Sequence, residues 1–174
     1  MKPEDFVVQG NNLYQLAKYQ DAIVCYDKAI ILNPDDAAAY LFKGVLLSSL
    51  NKDQEAVELF NKAIALKPDY AEAYSSKGVA LSHLGKHQES ITCFNKVIAL
   101  NPEDADAYYN KGLALSRLGK YQDEIVYYDK AIVLNPYHAN AYYNKSFALS
   151  RLGRHREAKA CYDKAIVLNP DLKR

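Results

Sequence analysis

Residues 105–138 read ADAYYNKGLALSRLGKYQDEIVYYDKAIVLNPYH, and the rest of the chain repeats this pattern in register. Pro34, Pro68, Pro102, Pro136 and Pro170 set the register, each 34 residues from the next. A fixed period of this size marks an array of stacked supersecondary units. The glycines obey the period in two phases, Gly10, Gly44, Gly78 and Gly112 in one and Gly85, Gly119 and Gly153 in the other. Stacked units offer an extended surface more readily than an enclosed pocket, so binding, not catalysis, is the starting expectation.

Within the quoted unit, Tyr108, Gly112 and Leu115 stand at i, i+4 and i+7, which is one face of a helix. Ile125, Tyr128, Ile132 and Leu134 make a comparable stripe in the second half. Between them Leu118-Gly119-Lys120 forms a tight turn, where glycine ends the first helix without strain. Asn135-Pro136 stops the second helix, because proline has no N–H for the next helical bond. Asp36, Asp69 and Asp104 follow such stops and are suited to cap the next helix. Each unit is therefore predicted to be an antiparallel pair of helices of about 13 residues, roughly 20 Å long. The expected repeats are 3–36, 37–70, 71–104, 105–138 and 139–172, one array over 1–174 with no further domain to house an activity.

Small residues mark where helix axes approach closely. Glycine recurs in the first helix, with Ser146 in the last repeat, and Ala22, Ala56, Ser90 and Ala158 recur in the second. Ala29, Ala63, Ala131 and Ala165 form another column, interrupted by Val97. Glu124 stands where the other repeats have Ala or Ser. A buried, unpaired carboxylate is costly, so Glu124 is expected to tilt outward or to pair with a lysine, Lys111 being nearest in the repeat geometry. The column Lys43, Lys77, Lys111 and Lys145 is expected to lay its methylenes on apolar surface and reach water with its ammonium groups.

Apolar residues at 49% and charged residues at 25% suit a soluble folded chain, and a net charge of +1 gives no pull toward nucleic acid or membrane. Lys18, Lys52, Lys86, Lys120 and Arg154 form a ladder of turns, but acids such as Asp21, Glu55 and Glu89 interleave with it. That pattern reads as a solvated edge, not a nucleic-acid surface. No segment approaches the roughly 18 apolar residues of a membrane span, and the first residues lack the apolar stretch of a signal peptide, so a cytoplasmic location is expected. Cys25, Cys93 and Cys161 recur two repeats apart, too far for disulfides between stacked helices about 10 Å apart, and are expected to stay reduced. His83 and His87 are separated by Gly85, which breaks the helix, so no metal site is expected there. No phosphate-cradling loop and no carboxylate pair in a cleft is evident, so neither a cofactor nor a catalytic residue is predicted and the chain is not expected to be an enzyme.

Repeat 2 carries Tyr40, Gly44, Leu47, Ala56, Phe60, Ala63 and Pro68 in fixed phase. With five such copies, the chain resembles the tetratricopeptide repeat family. The resemblance implies an all-α, right-handed superhelical solenoid of antiparallel helix pairs whose first helices line a concave groove that binds peptides. Mapping the family's groove positions gives one column of Val7, Leu41, Ser75, Tyr109 and Tyr143 and a second of Asn11, Val45, Val79, Leu113 and Phe147. A third is Gln15, Ser49, His83, Arg117 and Arg151, flanked by Asn110 and Asn144, while Tyr108 and Tyr142 are expected in the core. The groove candidates concentrate in repeats 4 and 5, where aromatics and arginines, the usual ingredients of binding hot spots, coincide. Family members that bind chaperone tails hold a carboxylate with lysine, asparagine and arginine. Here Val7, Phe42, Glu72 and Ser76 replace most of that set, so chaperone-tail binding is not expected.

The expected function is thus a protein-interaction module that captures a protein, peptide or helix without covalent chemistry. The alternative is a structural, self-associating array that stacks end to end. The last helix is as apolar as its internal counterparts, with Tyr162, Ala165, Ile166 and Leu168, although a terminal repeat usually needs a polar outer face. Either the array continues beyond this chain or that face meets another molecule.

Overall fold

The first helix of each pair begins 34 residues after the last, at Pro3, Ala37, Ala71, Ala105 and Ala139. The computed structural model describes residues 2–173, and among these no strand occurs. In chain order the helices are α1 (Pro3–Gln15), α2 (Tyr19–Leu32), α3 (Ala37–Ser49), α4 (Asp53–Leu66) and α5 (Ala71–His83). They are followed by α6 (His87–Leu100), α7 (Ala105–Arg117), α8 (Tyr121–Leu134), α9 (Ala139–Arg151) and α10 (His155–Leu168), then a 3-10 turn at Pro170–Leu172. None of the described helices is long and apolar enough to cross a membrane.

The chain divides into two compact units, Met1–Gly85 and Lys86–Arg174. In the first, each of α1 to α4 packs on the helix that follows it, and α1 and α3 also touch α3 and α5 respectively. In the second, α6 to α9 pack in the same sequential way, α7 also meets α9, and the 3-10 turn rests on α10.

Aromatic rings of the second helices fill the core. Tyr26 and Phe60 in the first unit, and Phe94 and Tyr128 in the second, are all at most 1% exposed. Their burial depends on missing side chains in the first helices. A Cβ on Gly10 would stand 2.5 Å from the Tyr26 ring, one on Gly44 2.6 Å from Phe60, and one on Gly112 2.5 Å from Tyr128.

The helix ends follow the sequence with one exception. The Asp36 carboxylate accepts from the backbone N–H of Ala38 and Ala39, and that of Asp104 accepts from Ala107. Asp69 does not cap α5, contrary to expectation, because the N-cap in this register is Tyr70, one residue later, which has no side-chain cap. At the equivalent place before α9, His138 Nδ1 accepts from Ala141 N–H at 3.3 Å.

Three members of the lysine column depart from expectation, since neighbouring helices hold their ammonium groups. Lys43 donates to Asp27 at 2.5 Å, and Lys145 pairs with Asp129. Lys111 donates to Asn95 Oδ1 at 2.5 Å and to Tyr127 Oη at 2.7 Å. Each contact spans 16 residues; those to Asp27, Asn95 and Asp129 tie the second helix of one repeat to the first helix of the next, and the Lys111–Tyr127 bond joins the two helices of one repeat.

The turn between paired helices closes with Gly119 N–H donating to Ser116 C=O at 2.9 Å and Lys120 N–H donating to Leu115 C=O at 3.1 Å. This doubly bonded helix end needs a left-handed residue, and Gly119 supplies it at φ +71°. In the first two repeats Ala17 (φ 56°) and Asn51 (φ 60°) are forced into the same region. An alanine there carries a steric cost that glycine lacks, offset in part by the greater freedom of glycine in the unfolded chain. Ala17→Gly is expected to stabilise the protein by about 1 kcal/mol, and Gly119→Ala to destabilise it by a similar amount. Thermal unfolding followed by circular dichroism checks both, with shifts of roughly 2–4 °C in opposite directions.

Candidate functional site

In the second unit, α7 and α9 present the same register positions side by side, with α8 beneath them. Between them lies a cavity of about 330 Å³ lined by Leu113, Ser116, Arg117, Tyr121, Glu124, Asn144, Phe147, Ala148 and Arg151. Five of the sequence-predicted groove residues, Leu113, Arg117, Asn144, Phe147 and Arg151, therefore converge on one space. Phe147 is 52% exposed, although it is a large apolar side chain.

Tyr109, Tyr143 and Asn110 are half-buried and stand outside the cavity walls. The Asn144 amide donates to Tyr109 Oη at 2.9 Å, and the Tyr109 ring lies 4.6 Å from that of His138 and 5.9 Å from Tyr128. Burial raises the Tyr109 hydroxyl pKa, with the Asn144 bond opposing it. Tyr143 meets Phe147 edge-on at 4.8 Å and Tyr162 at 6.0 Å. Both tyrosines thus hold the cavity's neighbours in place. Tyr108 is half-buried and stacks 6.4 Å from Tyr127.

Glu124 at the cavity wall corrects the sequence reading. It is 2% exposed, in the column that Ala22, Ala56 and Ser90 fill with no exposure at all, so the backbone geometry leaves it no outward path. Lys111 does not pair with it, being engaged by Asn95 and Tyr127. A hydrogen bond from Ser116 supports the carboxylate, but Oε2 has no partner. Burial pushes the carboxyl up to about 7, with the Ser116 bond opposing the rise.

One turn along α8, the Tyr128 hydroxyl is also buried, with Ser116 beside it. Burial, and secondarily the Glu124 charge, raises its pKa, with the Ser116 hydroxyl opposing the rise. The first repeat solves the same problem, because Tyr26 Oη donates to Asn11 Oδ1 at 2.8 Å. In the second unit the register position of Asn11 is held by Leu113, which offers no acceptor.

Clefts also open in the first unit. One, of about 250 Å³, is lined by Val45, Ser48, Ser49, Phe60, Ser75, Ser76, Val79 and His83. Beside it Asp53, buried, accepts from Ser48 Oγ at 2.5 Å and lies 3.3 Å from His83 Nδ1. Another, about 320 Å³, includes Asn11, Tyr14, Gln15, Phe42 and Val45. Leu41, expected in the groove, is only 5% exposed and belongs to the core. Val7 is buried as well. Among the described residues no group of three or more His, Cys, Asp and Glu is placed to hold a metal ion.

Paired helices, positive-φ turns and aromatic-on-glycine packing at a constant period define a helical repeat protein. Tetratricopeptide repeat profiles match residues 7–71, 59–92, 105–138 and 139–172, and a TPR repeat profile matches 81–119. The chain belongs to the tetratricopeptide repeat family. Among solved structures it is similar to MamA, at 28% identity and a TM-score of 0.87, over 93% of this chain and 95% of that one. It is also similar to YrrB, described as a TPR protein with an unusual peptide-binding site, at 24% identity and a TM-score of 0.80, over 96% and 86% of the two chains. A third likeness is to PilF of Pseudomonas aeruginosa, at 20% identity and a TM-score of 0.87, over 96% of this chain and 76% of that one. The last two likenesses concern the fold alone. No curated protein sequence matches the chain.

The Glu124 carboxyl sets a pH dependence of stability. Its folded value of about 7 lies above the ordinary 4.5, so the folded state holds the proton more tightly than the unfolded chain does. Below pH 4.5 both states are protonated and nothing is lost; as pH rises toward 7 the folded state is progressively penalised, by roughly 3 kcal/mol once both states would ionise. Glu124→Gln is expected to match the parent near pH 4 and to exceed it by about 3 kcal/mol at pH 8, with Glu124→Ala also more stable than the parent there. Denaturant unfolding across pH 4–8 reads the difference, and equal profiles for parent and variant would contradict it.

Proposed function

We propose that this chain is a protein-interaction module that captures a peptide or helix reversibly along its first helices, without covalent chemistry. The convergence of Leu113, Arg117, Asn144, Phe147 and Arg151 on one cavity carries this reading. Apolar walls supply burial, while arginine forks and an asparagine amide fix the register of an extended ligand. The exposed Phe147 ring fits an anchor left open for a partner, since such rings dominate binding energy when buried centrally. The peptide-binding site ascribed to YrrB agrees with this use of the shared fold.

A second reading is self-association through α10. Tyr162 is half-buried, whereas its counterparts Tyr26, Phe60, Phe94 and Tyr128 are at most 1% exposed, and Ile166 and Leu168 are also half-buried. Ala165 is 0% exposed and drops out of the candidate face. Sedimentation that grows with concentration and reverts in Ile166→Lys would support stacking.

The module reading is tested by random-peptide display against the immobilised chain and a variant carrying Phe147→Ala, Arg117→Glu and Arg151→Glu. All three side chains are exposed, so the variant is expected to keep its helical circular dichroism. The parent is expected to enrich a peptide family at least tenfold over the variant. No enrichment by the parent counts against the module, and equal enrichment by both removes this cavity as its binding site.

A further inference from the structure

Glu124 is a feature of the cavity that the fold does not require. Every other repeat fills its position with Ala or Ser, and the carboxylate ends with Oε2 buried and unpartnered. A buried charge is favourable only when paired, and no described side chain of this unit pairs with it. The two lysines of the column in this unit are already held, Lys111 by Asn95 and Tyr127 and Lys145 by Asp129. Arg117 and Arg151 line the same cavity but are exposed.

We propose that the cavity is a lysine subsite: it receives the ammonium of a lysine carried in an acidic segment of a bound peptide, with Glu124 as the counter-charge. This rests on the interaction-module reading and names the chemistry of its ligand. Leu113, Phe147, Ala148 and the Tyr121 ring offer apolar walls for the four methylenes of the stem. The head is an ammonium, not a guanidinium. Of the carboxylate oxygens, Oε2 is buried without a partner, which suits a point donor; a guanidinium fork asks for two acceptors. Arg117 and Arg151 disfavour an isolated cation and attract carboxylates, so the preferred lysine has Asp or Glu beside it. The pair would thus be recognised as a pattern of charges, acid–base–acid, and not by net charge.

The test is an NMR titration of the ¹⁵N-labelled full chain with the peptide acetyl-Asp-Lys-Glu-amide, and with the same peptide carrying norleucine for lysine. Shift changes are expected at the backbone amides of Leu113, Glu124 and Phe147, with norleucine and Glu124→Gln each weakening binding at least tenfold. Glu124→Gln is expected to be more stable than the parent, so its loss of binding is not a loss of fold. Equal binding of the norleucine peptide, equal binding by Glu124→Gln, or no shifts at these amides overturns the subsite. Random-peptide display separates this from the broader reading. Enriched peptides with no fixed lysine overturn the subsite and leave the module standing, whereas an absence of any enrichment counts against the module and leaves the titration to judge the subsite alone.

Discussion

Much of this structure depends on the approach of an aromatic ring to a helical glycine. Where Gly10, Gly44 and Gly112 stand, any Cβ would lie within 2.6 Å of a ring carbon of Tyr26, Phe60 or Tyr128. The absent side chain lets the two helices of a pair close until the ring is sealed, and a sealed ring contributes more apolar burial than any other side chain in the unit. The next helix then packs on a surface already fixed in height, and the lysine contacts to Asp27, Asn95 and Asp129 cross from repeat to repeat with the same 16-residue reach. In the last pair the position belongs to Ser146, whose hydroxyl donates to Tyr143 C=O at 2.6 Å, and its ring partner Tyr162 is only half-buried.

Against that regular scaffold, the cavity in the second unit is built by two breaches of the repeat. Glu124 puts a carboxylate where the column holds Ala or Ser, and Leu113 removes the acceptor that Asn11 gives to Tyr26, leaving the Tyr128 hydroxyl without an equivalent one. Each unsatisfied buried group costs on the order of 1–3 kcal/mol. Local conflicts of this size tend to sit at sites where something other than folding is being served. Their adjacency, i and i+4 on α8 for the two orphaned groups, concentrates the cost on one wall.

The period by itself makes the fold legible. Proline and glycine phases place the helices and turns, because those residues act through backbone chemistry that is local in sequence. What escapes is whatever depends on a one-residue register or on contacts between repeats. Asp69 looks like a cap because it is acidic and near the right place, but the capping position falls on Tyr70. Ala17 and Asn51 carry no glycine to announce a left-handed turn. Charge alone draws Lys111 to Glu124, whereas its neighbours in space are Asn95 and Tyr127. Leu41 follows the family's groove column, yet the first unit buries it. Glu124 itself is visible as an anomaly, and only the burial of its column reveals that it has nowhere else to point.

Comparison of the two units shows how one backbone yields different surfaces. The second column runs Asn11, Val45, Val79, Leu113, Phe147, so the same register position serves in turn as a hydrogen-bond acceptor, a cleft wall and an open ring. The third column moves from Ser49 and His83, beside a buried Asp53, to Arg117 and Arg151 around Glu124. In the first unit the buried acid is satisfied from within, by Ser48 and His83, and its cleft is left largely apolar. In the second the acid is buried with Oε2 unpartnered and the basic groups are turned out. A satisfied network stiffens a fold, whereas an unsatisfied one keeps its favourable interaction for a guest. The difference between the units therefore lies as much in whether their charges are matched inside the chain as in the kinds of residue present.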